Sequence, residues 1–239
     1  MGRSAPFLIV AIILAVFGVV SIIALYDSPM RPAPSEVGML KRFWETFKLP
    51  VTLQLSWLYA IGFGGFVAFS VYLPTLLVNE YGLEPADAAS RTAGFVIVAV
   101  IMRPVGGTLS DKIGGVNVSL ICFSGATVLA AVLIFEPPLV PLGTIAFLGI
   151  AFFLGASTGS TFALVSALAP KGTVGGVTGV VGAIGGLGGF VPPLIMGAVY
   201  TADGTYGIGF AGLTVALVLT VLFTAGPVRK RALRGRAEA

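Results

Sequence analysis

The sequence predicts an all-α membrane protein, and two observations carry this prediction. Of its 239 residues, 56% are hydrophobic and only 10% are charged, whereas soluble domains carry about 25% charged residues. The mean hydropathy of +1.02 agrees, because such a chain has too few polar groups to cover a water-facing surface. In addition, seven apolar stretches are long enough to cross a hydrocarbon core about 30 Å thick, which requires about 20 helical residues. The class of water-soluble globular proteins is therefore excluded.

These stretches are the predicted transmembrane helices. In order, they are residues 6–25, 53–78, 92–110, 118–135, 143–169, 174–199 and 208–226. The first stretch is longer and more evenly apolar than a typical signal peptide, and it has no clear cleavage site of small residues. We therefore interpret it as a membrane span.

The positive charges indicate how the chain crosses the membrane. Eleven of the 14 Lys and Arg residues fall in four segments, which all lie on one side if the seven helices alternate: 26–50, 110–117, 170–173 and 227–239. Because basic loops stay in the cytoplasm, we expect a multi-pass protein with its N-terminus outside and its C-terminus in the cytoplasm. The net charge of +4 is then a topology signal, and nucleic acid is not expected as a partner.

Residue types that most catalytic sites need are missing from the sequence. It contains no histidine and one cysteine, Cys122. This composition excludes Ser-His-Asp and Cys-His catalysis, His-ligated haem and most catalytic zinc sites. We expect neither an enzyme nor a bound metal or cofactor.

A long polar interval divides the chain into one helix and six. We predict a transmembrane helix at 1–25, a cytoplasmic linker at 26–50, a six-helix transmembrane bundle at 51–227 and a basic cytoplasmic tail at 228–239. The second part of the linker is amphipathic and should lie on the membrane surface or against the bundle. Transporters made of two six-helix halves have this arrangement around their centre, so the first helix is interpreted as the last helix of a first half. A complete seven-helix protein is the alternative.

Arg103 is the one charged residue well inside a predicted span. It precedes Ser110 by seven residues, which places it about 10 Å from the cytoplasmic end. Arginine at this depth costs several kcal/mol and usually faces the bundle interior or a watery cavity. No Asp or Glu lies within the six later spans to pair with it. An unpaired guanidinium favours a small oxyanion as its ligand, and the alternative is a side chain that reaches back to the interface.

Two further sets of side chains are candidates for lining a site. Tyr59 and Phe63 are four residues apart and share one helix face, although aromatic stripes in membrane helices most often serve packing. Ser157, Ser160 and Thr161 lie on roughly one side of their helix. Hydroxyls there either satisfy backbone carbonyls or donate to a substrate.

The span 174–199 is rich in glycine. Its glycines recur mostly three or four residues apart, among them Gly182, Gly185, Gly186 and Gly189. Small residues at this spacing let another helix backbone approach closely. The resulting face serves either tight static packing or a sliding contact beside the substrate path. Pro192 and Pro193 should break or bend the helix near its outer end.

The segment GGTLSDKIGG resembles the G-x-L-[AS]-D-[RK]-x-G motif in cytoplasmic loops of the major facilitator superfamily. The matching residues include Gly107, Asp111, Lys112 and Gly114, and Gly115 replaces the basic residue that often ends the motif. We expect a very short, charged loop here. In it, Asp111 should pair with a cation or cap a neighbouring helix and so stabilise one conformation of the bundle.

A second resemblance indicates the branch of that superfamily. The run GVVGAIGGLGGFVPP is similar to the nitrate signature of the nitrate/nitrite porter family (NarK type), and WLYAIGFGGF, MRPVGGTLSDKIGG and GSTF agree. The resemblance covers essentially the whole chain and implies the six-helix C-terminal half of a transporter plus one preceding transmembrane helix. It implies an anion-binding role for Arg103, Tyr59, Phe63 and the signature glycines, and Ser160 is a further candidate substrate ligand. The family's second anion-binding arginine and first glycine signature belong to helices that this sequence does not contain.

The same resemblance implies a function. The chain would be part of a secondary transporter that moves nitrate or nitrite across a bacterial inner membrane by alternating access. Its partners would be the anion, the lipid bilayer and a separate N-terminal transporter half. Inverted repeats at 53–135 and 143–226 would bring Arg103 and the glycine-rich helix to one cleft. Two alternatives remain open: a facilitator of another small or organic anion or of a drug, and a non-transporting assembly or sensory partner.

Overall fold

The computed structural model describes residues 5–25 and 38–237, and every regular element in them is helical. Within these described ranges, two π-helical turns, at Leu139–Gly143 and Thr224–Val228, accompany ten α-helices. The α-helices are α1 (Ala5–Ala24), α2 (Met39–Lys48), α3 (Pro50–Tyr81), α4 (Pro85–Ile113), α5 (Gly115–Leu133), α6 (Thr144–Leu168), α7 (Val174–Gly188), α8 (Val191–Asp203), α9 (Gly207–Phe223) and α10 (Arg229–Ala237).

Seven helical stretches among these residues are long and apolar enough to cross a membrane. Each coincides with one of the predicted spans, so the prediction of an all-α membrane fold is confirmed. Several helices extend beyond the apolar stretch that predicted them. For example, α4 begins at Pro85, seven residues before the predicted span, because proline is favoured in the first turn of a helix.

The chain divides into two compact units, which are described separately. The first is residues 1–38, where α1 is the described helix, and the second is residues 39–239, which contain α2 to α10. The first part of the predicted linker, residues 26–37, lies outside the described residues. So do Arg3 and the last two residues of the predicted tail.

Helix α3 is central to the second unit, because it packs against α4, α6 and α7. Its buried side chains, such as Leu58, join one hydrophobic core with Phe95 of α4 and Ile150 of α6. This placement puts one face of α3 between three helices, and the candidate site lies on that face.

Small residues bring α4 and α6 into close contact. A Cβ atom added at Gly155 or Gly159 of α6 would overlap the backbone of Ala99 or Arg103, and one at Gly106 would overlap the backbone of Ala156. Glycines four residues apart allow this approach between membrane helices. The contact fixes the backbone of Arg103 against α6.

The connection between α4 and α5 differs from the predicted loop. The motif GGTLSDKIGG is helical up to Ile113, and only Gly114 separates the two helices. Gly114 has φ 87°, a backbone conformation that favours glycine, and its N–H donates to the Ser110 carbonyl. Asp111 and Lys112 are exposed on the last turn of α4. Among the described residues, Asp111 has neither the expected cation partner nor a helix N-terminus to cap.

The glycine-rich span is divided into two helices, as the prolines predicted. Helix α7 ends at Gly188 and α8 begins at Val191, so that Pro192 and Pro193 lie in the first turn of α8. Proline fits there because the first N–H groups of a helix have no partner within it. The break lies just before the prolines rather than at them.

The amphipathic second part of the linker forms α2, which contacts α3 and α7. Thr46 lies at Gly176 of α7, while Leu40, Phe43 and Trp44 are exposed. The predicted basic tail forms α10, which follows α9 through the second π-helical turn. Arg231 Nε in α10 donates to Gln54 Oε1 in α3 over 2.8 Å.

Candidate functional site

Arg103 of α4 points at two aromatic rings of α3. Its Cζ atom lies 4.7 Å from the centroid of the Phe66 ring and 5.2 Å from that of Phe63. A cation within about 6 Å of a ring face is attracted by the ring quadrupole, by about 0.5–2 kcal/mol. The rings therefore hold the guanidinium in place without using its N–H groups.

The same guanidinium has no hydrogen-bonding or ionic partner in the described part of the chain. Its Nε atom is buried and unpaired, and no salt bridge or hydrogen bond joins Arg103 to any described residue. A buried polar atom without a partner is rare and costs about 1–3 kcal/mol. An anion that accepts hydrogen bonds from Arg103 would remove that cost.

Tyr59 and Phe63 form the aromatic side of the site. Their rings are stacked, with centroids 4.9 Å apart and planes 8° apart, and Phe162 of α6 meets the Tyr59 ring edge-on at 4.8 Å. Tyr59 is 7% exposed, and its hydroxyl makes no hydrogen bond to a described residue. The structure thus brings Arg103, Tyr59 and Phe63 together, as the resemblance implied.

The four signature glycines are divided between two faces of the glycine-rich span. Gly185 packs directly against the ring of Tyr59, and a Cβ atom at Gly189 would lie 2.7 Å from a methyl carbon of Val67. By contrast, nothing lies within 4 Å of a Cβ atom built at Gly182 or Gly186. Of these four glycines, Gly185 and Gly189 contact α3.

Ser160 is placed in the contact between α5 and α6. It is fully buried, and its hydroxyl lies 2.8 Å from the Ser119 hydroxyl and 3.0 Å from the Ser157 carbonyl oxygen, to which it donates. Ser157 and Thr161 also donate to carbonyls within α6. All three hydroxyls donate to backbone carbonyls of α6. This is the first of the two roles predicted for them, and not donation to a substrate.

The residues of the loop motif lie further along α4 than Arg103. Gly107 follows Arg103 by four residues, which is about 6 Å along the helix axis, and Asp111 follows by eight, about 12 Å. Lys112 and Gly114 lie beyond them at the end of the helix. The structure therefore does not bring the motif into contact with the aromatic rings.

Three features of the site lie outside the predicted site residues. Phe66 is the ring nearest to Arg103, and its position three residues after Phe63 on the same helix was the available signal. Phe162 contributes the ring on Tyr59 and is part of the GSTF stretch. The pair Gly155 and Gly159 forms a G-x-x-x-G pattern, a sequence signal for close helix contact.

Comparison with known proteins connects this geometry to a family. A sequence model of the Major Facilitator Superfamily matches residues 2–193. The solved structure of FucP, a Major Facilitator Superfamily transporter in the outward conformation, superposes with a TM-score of 0.72. It is 18% identical, and the match covers 95% of this chain and 54% of that chain. At this identity the likeness shows the fold alone.

Curated relatives confirm the resemblance that the motifs predicted. The probable nitrate/nitrite transporter NarK2 of Mycobacterium tuberculosis is 45% identical over 232 residues, 95% of this chain and 58% of the relative. The nitrite extrusion protein of Bacillus subtilis is 41% identical over 169 residues, 70% of this chain and 42% of the relative. The probable nitrate transporter NarT of Staphylococcus haemolyticus is 34% identical over 220 residues, 92% of this chain and 56% of the relative. The chain spans about half the length of these relatives.

Proposed function

Because this chain belongs to the Major Facilitator Superfamily, we propose that it is part of a secondary transporter for nitrate and nitrite in which Arg103 binds the anion. Membership of a family of transporters also confirms that the chain is not an enzyme. The names of the relatives support the substrate class, and the geometry around Arg103 supports the position of the site.

The observation that carries this proposal is the unpaired guanidinium beside two aromatic rings. Nitrate and nitrite are small, planar and singly charged, and the planar fork of arginine donates two parallel hydrogen bonds to such oxyanions. Phe63 and Phe66 approach the guanidinium with their rings, and its N–H groups have no hydrogen-bond partner among the described residues. The Tyr59 hydroxyl is a further donor near the same ring stack.

The surfaces of the glycine-rich span fit a transporter that works by alternating access. Gly182 and Gly186 leave a smooth face on which a second helix backbone can pack and slide. The break between α7 and α8 allows the two pieces to tilt separately. A separate N-terminal half would be the partner on this face. We place the protein in the inner membrane with its N-terminus outside and its basic C-terminal helix in the cytoplasm.

An exchange assay tests this function. Two samples of nitrite-loaded liposomes are compared. One contains the chain alone, and the other, the paired sample, contains the chain together with the segment of the M. tuberculosis relative that the chain does not match. External nitrate should release nitrite in the paired sample, and succinate should not compete. If succinate abolishes the nitrite release that external nitrate drives, an organic-anion facilitator would be favoured instead. Absence of exchange in both samples, with the protein correctly inserted, would contradict the transport function.

A further inference from the structure

Hydroxyl groups in the membrane helices of this protein are usually bonded to a backbone carbonyl one turn earlier. Thr92 donates to Ala88 over 2.9 Å, and Thr127 donates to Phe123 over 2.7 Å. This local bond is how Ser and Thr side chains satisfy themselves inside a membrane helix. A buried hydroxyl that forgoes it is an exception.

Two hydroxyls of α3 are such exceptions. Thr52 is 0% exposed and Ser56 is 3% exposed, and neither hydroxyl oxygen has a hydrogen-bond partner in the described part of the chain. Among the described residues, the third buried side-chain polar atom without a partner is Arg103 Nε. Unpaired buried polar atoms are rare because they lose the hydrogen bonds of water without replacement.

The two hydroxyls are aligned with the anion site. Thr52, Ser56, Tyr59 and Phe63 follow one another at spacings of four, three and four residues, so they share one face of α3. The Tyr59 ring on that face touches Phe162 of α6 and packs on α7. The face thus points between α6 and α7, and it leads from the N-terminal end of α3 to Arg103.

The spacing of these groups suits the passage of a small anion. Ser56 lies about 4.5 Å below Tyr59 along the helix axis, and Thr52 lies about 6 Å below Ser56. An anion that leaves one donor would reach the next within about one helical turn. Hydroxyls are neutral donors, so they hold an anion less tightly than a guanidinium does. That property suits a release path.

We propose that Thr52 and Ser56 form a second, weaker subsite for the anion on the path between Arg103 and the N-terminal end of α3. The proposal rests on the function proposed above. Their hydroxyls donate to the oxygens of nitrate or nitrite when the space between α3, α6 and α7 opens. On the topology proposed above, this subsite lies on the cytoplasmic side of Arg103.

Cysteine accessibility tests the subsite in the whole chain, reconstituted in lipid nanodiscs. The buried native Cys122 is first replaced (Cys122→Ala), and Thr52→Cys or Ser56→Cys is added. The probe is a sulfonate-bearing methanethiosulfonate, an anionic reagent that modifies thiols. Both positions should be modified, and nitrate at ten times the Kd of the subsite should slow the modification about tenfold relative to gluconate, by mass action.

Two control variants define the background. Ser119→Cys is equally buried, but its native hydroxyl is paired with Ser160, so it should stay unmodified. Ser90→Cys on the exposed start of α4 should be modified at a rate that nitrate does not change. If Thr52→Cys and Ser56→Cys are unreactive, or react at a rate independent of nitrate, the subsite is contradicted.

The function proposed for Arg103 is tested separately by calorimetry. Nitrate is titrated into the Cys122→Ala chain and into the same chain with Arg103→Gln added. Nitrate binding that requires Arg103, together with unprotected cysteines at 52 and 56, would overturn the subsite alone. Protected cysteines in a chain whose nitrate binding is independent of Arg103 would support the subsite and overturn the role of Arg103.

Discussion

The backbone of Gly185 in α7 packs directly against the ring of Tyr59 in α3, so that no space remains for a Cβ atom between them. This contact fixes the side of α7 that faces the ring stack, and through the stack it fixes Phe63 beside Arg103. The position of the proposed anion site therefore depends on Gly185 through the ring of Tyr59.

Gly185→Ala should displace the Tyr59 ring. Overpacking of this kind typically costs about 1–3 kcal/mol. If half of this cost weakens nitrate binding, the Kd for nitrate rises about two- to thirteenfold. Gly179→Ala, six residues earlier in α7, is the matched control because nothing lies within 4 Å of a Cβ atom built there. Thermal unfolding and nitrate titration of both variants check this. Equal effects of the two substitutions would contradict the contact.

Phe66→Leu should weaken nitrate binding without direct contact to the anion. The ring contributes about 0.5–2 kcal/mol to holding the guanidinium, which corresponds to a two- to thirtyfold increase in Kd. Phe69→Leu is the control, because Phe69 is also buried and contacts Phe95 and Phe210 instead of Arg103. Calorimetry should find an unchanged Kd for Phe69→Leu. A Kd that rises equally in both would mean that general packing, rather than the cation–π contact, explains the effect.

Removing the unpaired hydroxyl of Thr52 should not destabilise the protein. Thr52→Val keeps the shape and loses no hydrogen bond, so the free energy of unfolding should stay the same or rise by up to about 1 kcal/mol. Thr161→Val removes a hydroxyl that donates to the Ser157 carbonyl over 2.8 Å and should cost about 1 kcal/mol. Denaturant unfolding in mixed micelles measures both. A larger loss for Thr52→Val than for Thr161→Val would show that Thr52 has a structural partner.

Glu136 should stabilise the start of α9. Its Oε1 atom accepts hydrogen bonds from the backbone N–H groups of Tyr206 and Gly207 over 2.9 and 2.8 Å. Loss of such a cap costs about 0.5–2 kcal/mol, so Glu136→Ala should lower the unfolding temperature. Glu84→Ala is the control, since Glu84 precedes α4 without a side-chain cap bond and should change little. Hydrogen exchange at Tyr206 and Gly207 should accelerate in the first variant only.

The sequence predicted the helices and the residues of the ring stack well because both depend on local signals. Apolar length identifies α3 and α4, and helical spacing places Tyr59 and Phe63 on one face whatever surrounds them. The acid-free composition of the spans predicted that Arg103 has no ionic partner in them. These features need no knowledge of how helices pack against one another.

Features that depend on tertiary packing could not be read in this way. Helical spacing alone does not distinguish Gly185, which contacts Tyr59, from Gly186, which faces open space, because the orientation of α7 against α3 decides it. Ser160 illustrates the same limit: its partner Ser119 lies 41 residues away in the chain. The loop between α4 and α5 is shorter than predicted because α4 continues as a helix beyond the apolar stretch.

Anion binding by Arg103 is tested most directly by calorimetric titration of nitrate into the chain in nanodiscs, with Arg103→Gln and Arg91→Gln compared. Arg91 is a suitable control because it is exposed and pairs with Asp87 on its own helix. Charged hydrogen bonds contribute about 1.5–3 kcal/mol, so Arg103→Gln should raise the Kd about ten- to 150-fold, and Arg91→Gln should leave it unchanged. An Arg103→Gln variant that binds nitrate as tightly as the native chain would show that Arg103 does not bind the anion.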